Sequence, residues 1–252
     1  MIRNIKLTIR FNGSDFHGWQ IQDNAVTVQA SIVAAIERII GSRVTLNGCS
    51  RTDSGVHANM FCCNFRTEKE IDCKKLMRGL NAVLPDSISV YGCEEVDISF
   101  HSRFDCKGKE YIYKIWNSEA KNPFMKGLTL HYPYKLDAEM LNKEAADFVG
   151  TYDFSAFCSS GTDVEDKTRT VYSCNVTRDG DMVIFSVKGD GFLYNMVRIM
   201  VGTLLDISSG KIECGTVRDI ILSKDRKLSG ITAKAEGLYL NEVYYDENEV
   251  IR

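Results

Sequence analysis

Gly48-Cys49-Ser50-Arg51-Thr52-Asp53-Ser54-Gly55-Val56-His57 separates two runs of strand character, residues 43–46 and 60–65. Glycine, serine and aspartate in such a gap favour a tight loop over continued pairing. Most non-glycine positions of the loop carry a hydroxyl or a charge, yet the run that follows is apolar and almost uncharged. The bland account is a polar turn with a surface ion pair. The apolar strand behind it argues for more. A carboxylate carried inward needs a partner, and Arg51 is the near candidate for Asp53. An aspartate kept ionised by an arginine serves as nucleophile or base, not as proton donor.

Outward from this loop the chain reads as alternating elements. Residues 6–11 alternate apolar and polar, as a strand does, and Asn12-Gly13-Ser14-Asp15 ends the run. Thr27 caps a helix over 28–40 with Ile32, Ala35, Ile36 and Ile39 on one face, and Gly41 closes it. After the loop and the strand 60–65, Asp72 starts a helix over 74–83 that Pro85 ends, and 88–94 is a further strand. The order β-α-β-loop-β-α-β is a split β-α-β layout, with both helices on one side of an antiparallel sheet.

The second half repeats this with longer pieces. Residues 109–116 alternate strongly, a helix spans 138–149 behind Asp137, and 159–167 is the most loop-like segment. Strands 170–178 and 182–188 meet at Asp179-Gly180, a hairpin signal. Helices over 194–208 and 214–223 precede a last strand, 238–245. The expected fold is α+β: two ferredoxin-like halves, residues 1–105 and 106–252, with antiparallel sheets joined side by side and a cleft between. In the helix 194–208 apolar residues cover most of the circumference and Arg198 is the only cation. A buried helix aims such an arginine at a carboxylate or a phosphate.

Composition sets outer limits. The 252 residues are 44% hydrophobic and 26% charged, an ordinary globular balance. No apolar run approaches a membrane span and the first residues are not a signal peptide, so a cytoplasmic place is expected. Nine cysteines without a Cys-x-x-Cys pair read as reduced core thiols, and four scattered histidines offer no metal-ligand spacing. The net charge of −3 argues against nucleic acid only weakly, because a local basic surface suffices. The stretch 103–126 supplies one, with Arg103, Lys107, Lys109 and Lys114 interleaved with Tyr111, Tyr113 and Trp116. Its bland counterpart is a solvated edge strand.

Five motifs, in order, resemble those of the TruA-type tRNA pseudouridine synthases. They are Phe11-Asn12-Gly13 to Gly18-Trp19-Gln20, Arg51-Thr52-Asp53-Ser54-Gly55-Val56-His57, and Phe100-His101-Ser102-Arg103-Phe104 to Lys109-Glu110-Tyr111. The last two are Gly191-Phe192-Leu193 to Met196-Val197-Arg198, and Ala235-Glu236-Gly237-Leu238-Tyr239-Leu240. Together they span nearly the whole chain. The resemblance implies the pseudouridine synthase fold and isomerisation of a uridine in tRNA, most often in the anticodon stem-loop, without metal or organic cofactor. It also implies a homodimer whose RNA cleft crosses both subunits.

Carried over, Asp53 is the nucleophile, attacking the uracil at C6 or the ribose at C1′, or assisting an elimination; the residues do not choose among these. Tyr111 stacks on the flipped base and accepts a proton late in the reaction, and Arg198 pairs with Asp53. Arg51 holds the flipped nucleotide, with His57, Arg103 and Lys109 as further substrate contacts. Read by itself, Tyr111 is equally a core strand aromatic, His57 a loop-ordering hydrogen bonder and Trp19 a packing residue. Ser50, Phe11-Asn12 and Asn195 depart from the family's usual glycine, Tyr-Asp and histidine, and none of these changes removes a reacting group. Three readings stand beside this one: a pseudouridine synthase acting on a different tRNA site or another RNA, a non-catalytic RNA-binding module on the same scaffold, and a small-molecule enzyme with Asp53 and His57 as an acid–base pair.

Overall fold

Alternation builds the first strand, β1 (Arg3–Phe11): Ile5, Leu7 and Ile9 are fully buried, with Lys6, Thr8 and Arg10 between them. The computed structural model describes residues 1–161 and 164–251; Thr162 and Asp163 of the expected loop 159–167 lie outside the described residues. Thr27 is extended before α1 (Val28–Ile40), and its Oγ1 accepts the Ala30 N–H at 3.3 Å. Gly41, at φ 74°, lets its own N–H reach the Glu37 carbonyl. The buried stripe of α1 is Val28, Ile32, Val33, Ala35 and Ile36. Ile39, expected on that face, is 38% exposed. It sits on the last turn, where it closes over Gly79 of the next helix rather than over the sheet.

Residues 43–46 form no strand. The Leu46 carbonyl, which a ladder would use, accepts instead from Gln29 Nε2 of α1 at 2.8 Å, and only β2 (Asn47–Gly48) pairs. Next come β3 (His57–Thr67), α2 (Cys73–Val83), capped by Asp72 Oδ1 on the Lys75 N–H, and β4 (Ile88–Val96). β1 lies between β4 and β3, antiparallel to both, and β2 pairs antiparallel to β3. That is the split β-α-β order expected from the sequence.

The chain forms two compact units, residues 1–107 with 239–245 and residues 108–238 with 246–252. In the second unit β5 (Gly108–Trp116) carries the short β6 (Leu130–His131) in parallel. α3 (Ala138–Ala146) ends three residues before the expected position. There the N–H groups of Asp147, Phe148 and Val149 each bond three residues back, and this tighter turn puts Phe148 in the core. β7 (Gly150–Asp153), β8 (Thr168–Asp179) and β9 (Met182–Gly189) complete an antiparallel sheet in the order β5-β9-β8-β7. Asp179 pairs with Met182, so the hairpin turn is Gly180-Asp181, one residue later than the dipeptide suggested.

The helices 194–208 and 214–223 are shorter than expected, as α4 (Met196–Ser208) and α5 (Val217–Ser223). The reasons are local: Asn195 and Gly215 have φ of 62° and 83° and stand outside a right-handed helix. The last strand, β10 (Leu238–Tyr244), corrects the division at residue 105. Its Tyr239 and Leu240 pair in parallel with His57 and Ala58 of β3, so it serves the first unit. No cysteine is part of a disulfide among the described residues. No helix is long and apolar enough to cross a membrane among the described residues.

Candidate active site

The loop between β2 and β3 is bracketed by the segment between β1 and α1. The Thr52 carbonyl accepts the Trp19 N–H at 3.1 Å, the Phe16 carbonyl accepts the Gly55 N–H at 3.2 Å and the Ser54 hydroxyl at 3.3 Å, and His57 Nδ1 accepts the Gly13 N–H at 3.0 Å. Within the loop the Asp53 carbonyl accepts the Val56 N–H, and the Cys49 N–H reaches the Cys62 carbonyl of β3. The approach of the two segments is too close for side chains at two positions. A Cβ on Gly13 would meet the Val56 carbonyl, and one on Gly18, at φ 86°, the Thr52 carbonyl. The glycines of the first motif are there to let the backbone of the third strand's loop lie against it. Asp53, half-buried, is thereby carried on backbone anchored on both sides.

Trp19 is 3% exposed and stacks on Phe61 at 4.1 Å, so it packs, as the bland reading had it. His57 is at the head of β3 rather than in the loop, 1% exposed, and its ring stacks on Tyr239 at 4.5 Å. With Nδ1 accepting the Gly13 N–H and the ring enclosed, it orders the loop. Burial also pushes the Tyr239 phenol up to about 12, so it stays neutral beside the imidazole.

Arg51 and Arg103, distant in sequence, line one groove of about 240 Å³ with Gln20, Gln29, Ser50 and His101. The second arginine is presented by a pinned turn. Ser102 is buried: its N–H goes to Asn64 Oδ1, its hydroxyl to the Asn47 carbonyl, and its carbonyl accepts from Tyr245. His101 Nδ1 then accepts the N–H groups of Arg103 and Phe104. Phe104 is left 75% exposed, its ring 4.3 Å from that of His101 and 5.9 Å from the Arg103 guanidinium. In the sequence Phe104 and His101 stand only as motif residues, and an aromatic beside a cation in a loop is the available signal for a role.

Tyr111, Lys109 and Arg198 belong to the second unit. Tyr111 and Tyr113 share a face of β5 but not a role. Tyr113 is fully buried, donates to the Lys234 carbonyl at 2.7 Å, and has its phenol pushed well up by burial. Tyr111 is 7% exposed, with its ring edge-on to Phe192 at 5.1 Å. Lys109, at the start of the same strand, is half-buried. Arg198, in the first turn of α4, donates through Nε to the Ala233 carbonyl and through Nη1 to Asn195 Oδ1, both at 2.7 Å. Asn195 is a partner that the sequence did not single out for this. Among the described residues no group of three or more histidines, cysteines or carboxylates could hold a metal ion.

A family model described as tRNA pseudouridine synthase matches residues 8–105 and 145–246. The chain is 47% identical to the tRNA pseudouridine synthase A of Acetivibrio thermocellus, over 97% of this chain and 100% of that one. It is 44% identical to the protein of that name from Clostridium acetobutylicum, over the same shares, and 41% to that of Staphylococcus aureus, over 98% of this chain and 94% of the other. Among solved structures, one of an archaeal box H/ACA sRNP Nop10–Cbf5 complex aligns at 15% identity and a TM-score of 0.33, over 79% of this chain and 41% of that chain.

Proposed function

The chain belongs to the tRNA pseudouridine synthase family, and from that premise we propose that it isomerises uridine to pseudouridine in tRNA with Asp53 as its nucleophile. The observation that carries the assignment is the bracketing of residues 49–57 by the Gly13–Trp19 segment, which spends several backbone hydrogen bonds and two obligatory glycines on fixing one half-buried carboxylate. A nucleophile held in place needs no reordering when the substrate arrives. The reaction breaks the N1 glycosidic bond, turns the base and rejoins it through C5, with the C5 proton leaving last. Asp53 adds to C6 of the ring or to C1′ of the ribose, or assists loss of a ribose proton.

Tyr111 and Arg198 enter as the family's stacking and pairing residues: Tyr111 presents a flat face and a phenol from one strand position, and Arg198 offers a guanidinium already oriented by two acceptors. Taking the target base out of its stack costs a few kcal/mol, which stacking and a closed pocket offset. Arg51 and Arg103 line a groove suited to the phosphates on either side of that nucleotide. The anticodon stem-loop is the proposed target, read by shape and backbone. A homodimer in the cytoplasm, with an RNA cleft across both subunits, completes the proposal.

The test is Asp53→Asn, assayed by tritium release from tRNA carrying 5-tritiated uridine and by a filter-binding measurement on the same RNA. Release is expected to vanish while binding persists. Full activity in the variant refutes Asp53, and an inactive wild-type protein that still binds tRNA tightly returns the chain to a binding module. Sedimentation at micromolar concentration tests the dimer.

A further inference from the structure

Asn195 is an asparagine in a conformation that most residues avoid, at a helix start where its side chain does not do the usual job. Its φ of 62° and ψ of 7° are left-handed, one of only two such non-glycine residues among those described. Asparagine tolerates that region better than other L-residues, at a cost still borne somewhere in the fold. At an N-cap its side chain would ordinarily accept an N–H of the first turn, yet it makes no such bond. Its carbonyl alone starts the helix, accepting the Ile199 N–H at 2.9 Å.

The side chain is spent elsewhere. Oδ1 accepts Arg198 Nη1 at 2.7 Å, and Nδ2 donates to Ser159 Oγ at 3.0 Å. The Ser159 N–H in turn reaches the Tyr194 carbonyl, so the serine is anchored on the residue just before the asparagine. On its other side Arg198 gives Nε to the Ala233 carbonyl, whose own N–H returns to the Arg198 carbonyl at 3.0 Å. The guanidinium is thus held at two of its nitrogens by acceptors from different segments. Such a clamp has a physical purpose. A cation in the first turn of a helix faces the positive end of the helix dipole. A long side chain with about 2 kcal/mol of rotamer entropy does not stay put there without acceptors.

We propose that Asn195 is a positioning residue for the isomerisation: through the left-handed turn it aims Oδ1 at Arg198 and fixes the direction in which the guanidinium is presented. The proposal rests on the assignment of Arg198 made above. Its chemistry predicts an effect on turnover rather than on RNA capture, since both ends of the Asn195 amide are engaged within the chain.

Asn195→Gly is the discriminating variant, because glycine keeps the left-handed backbone and removes only the side chain. The expected result is a fall in kcat of about tenfold or more, with KM for tRNA within about twofold of wild type and an unchanged melting temperature. Asn195→Asp, which retains an acceptor at Oδ1, is expected to restore most of kcat. If Asn195→Gly melts well below wild type, Ser159→Ala decides, since it leaves the turn intact and removes only the anchor of Nδ2. A lowered kcat there supports the proposal and an unchanged one overturns it. Wild-type kcat in Asn195→Gly alongside an inactive Arg198→Ala also overturns it, and leaves the assignment of Arg198 standing. Full activity in Arg198→Ala sinks that assignment first, and the positioning role with it.

Discussion

Gly48 is in the quoted loop for want of room: a Cβ there would come within 2.6–2.7 Å of the Trp19 indole. That indole is itself pressed on Phe61, so it has nowhere to retreat. Gly48→Ala is therefore expected to lower stability by about 1–3 kcal/mol, the usual penalty for overfilling a packed site. Urea unfolding followed by tryptophan fluorescence measures it, and a midpoint equal to wild type would show that the ring gives way freely. Single residues also show what the string conceals. His57 did not reveal that it is buried, because its neighbour Tyr239 is distant in sequence and only β10 brings the two rings together.

Elements were legible where a side chain meets its own backbone. Thr27, Asp72 and Asp137 each cap the helix they were expected to start, because a cap needs only the next three residues. Ends were less legible: α3 tightens early so that Phe148 turns inward, and the alternation of 43–46 lost its carbonyl to Gln29. One junction has a pH signature. At the end of β7, Asp153 accepts from the Ser155 hydroxyl and N–H and pairs with Lys224 at 3.0 Å. The serine hydrogen bond, then the lysine, hold its carboxyl below the ordinary range. A lowered folded pKa stabilises above the unfolded value, and the contribution is lost as pH falls through the folded one. Asp153→Asn is expected to melt earlier than wild type at pH 7, with the gap closing below about pH 4. A gap that persists at low pH would mean that charge is not its source.

For the whole molecule, a net charge of −3 leaves RNA affinity to local cations. Each phosphate contact that is lost lowers the slope of log affinity against log salt by about one. Arg51→Ala with Arg103→Ala is expected to reduce the slope for tRNA by about two, read by filter binding from low to moderate salt; an unchanged slope would remove the groove from the RNA path. What the sequence determined by itself is everything closed over short range: the strand alternation, the helix caps, the split β-α-β order and the five motifs of the family. The tertiary structure alone decided that Arg51 and Arg103 share a groove, that β10 joins β3, that His57 is enclosed, and that Asn195 and Ala233 clamp Arg198. The reason is one of range. Hydrogen-bond partners such as Gly13 and His57 or Asn59 and Asn241 stand 44 and 182 residues apart, and no local preference encodes such a meeting. It follows only once the sheets and their glycines have brought the backbones together.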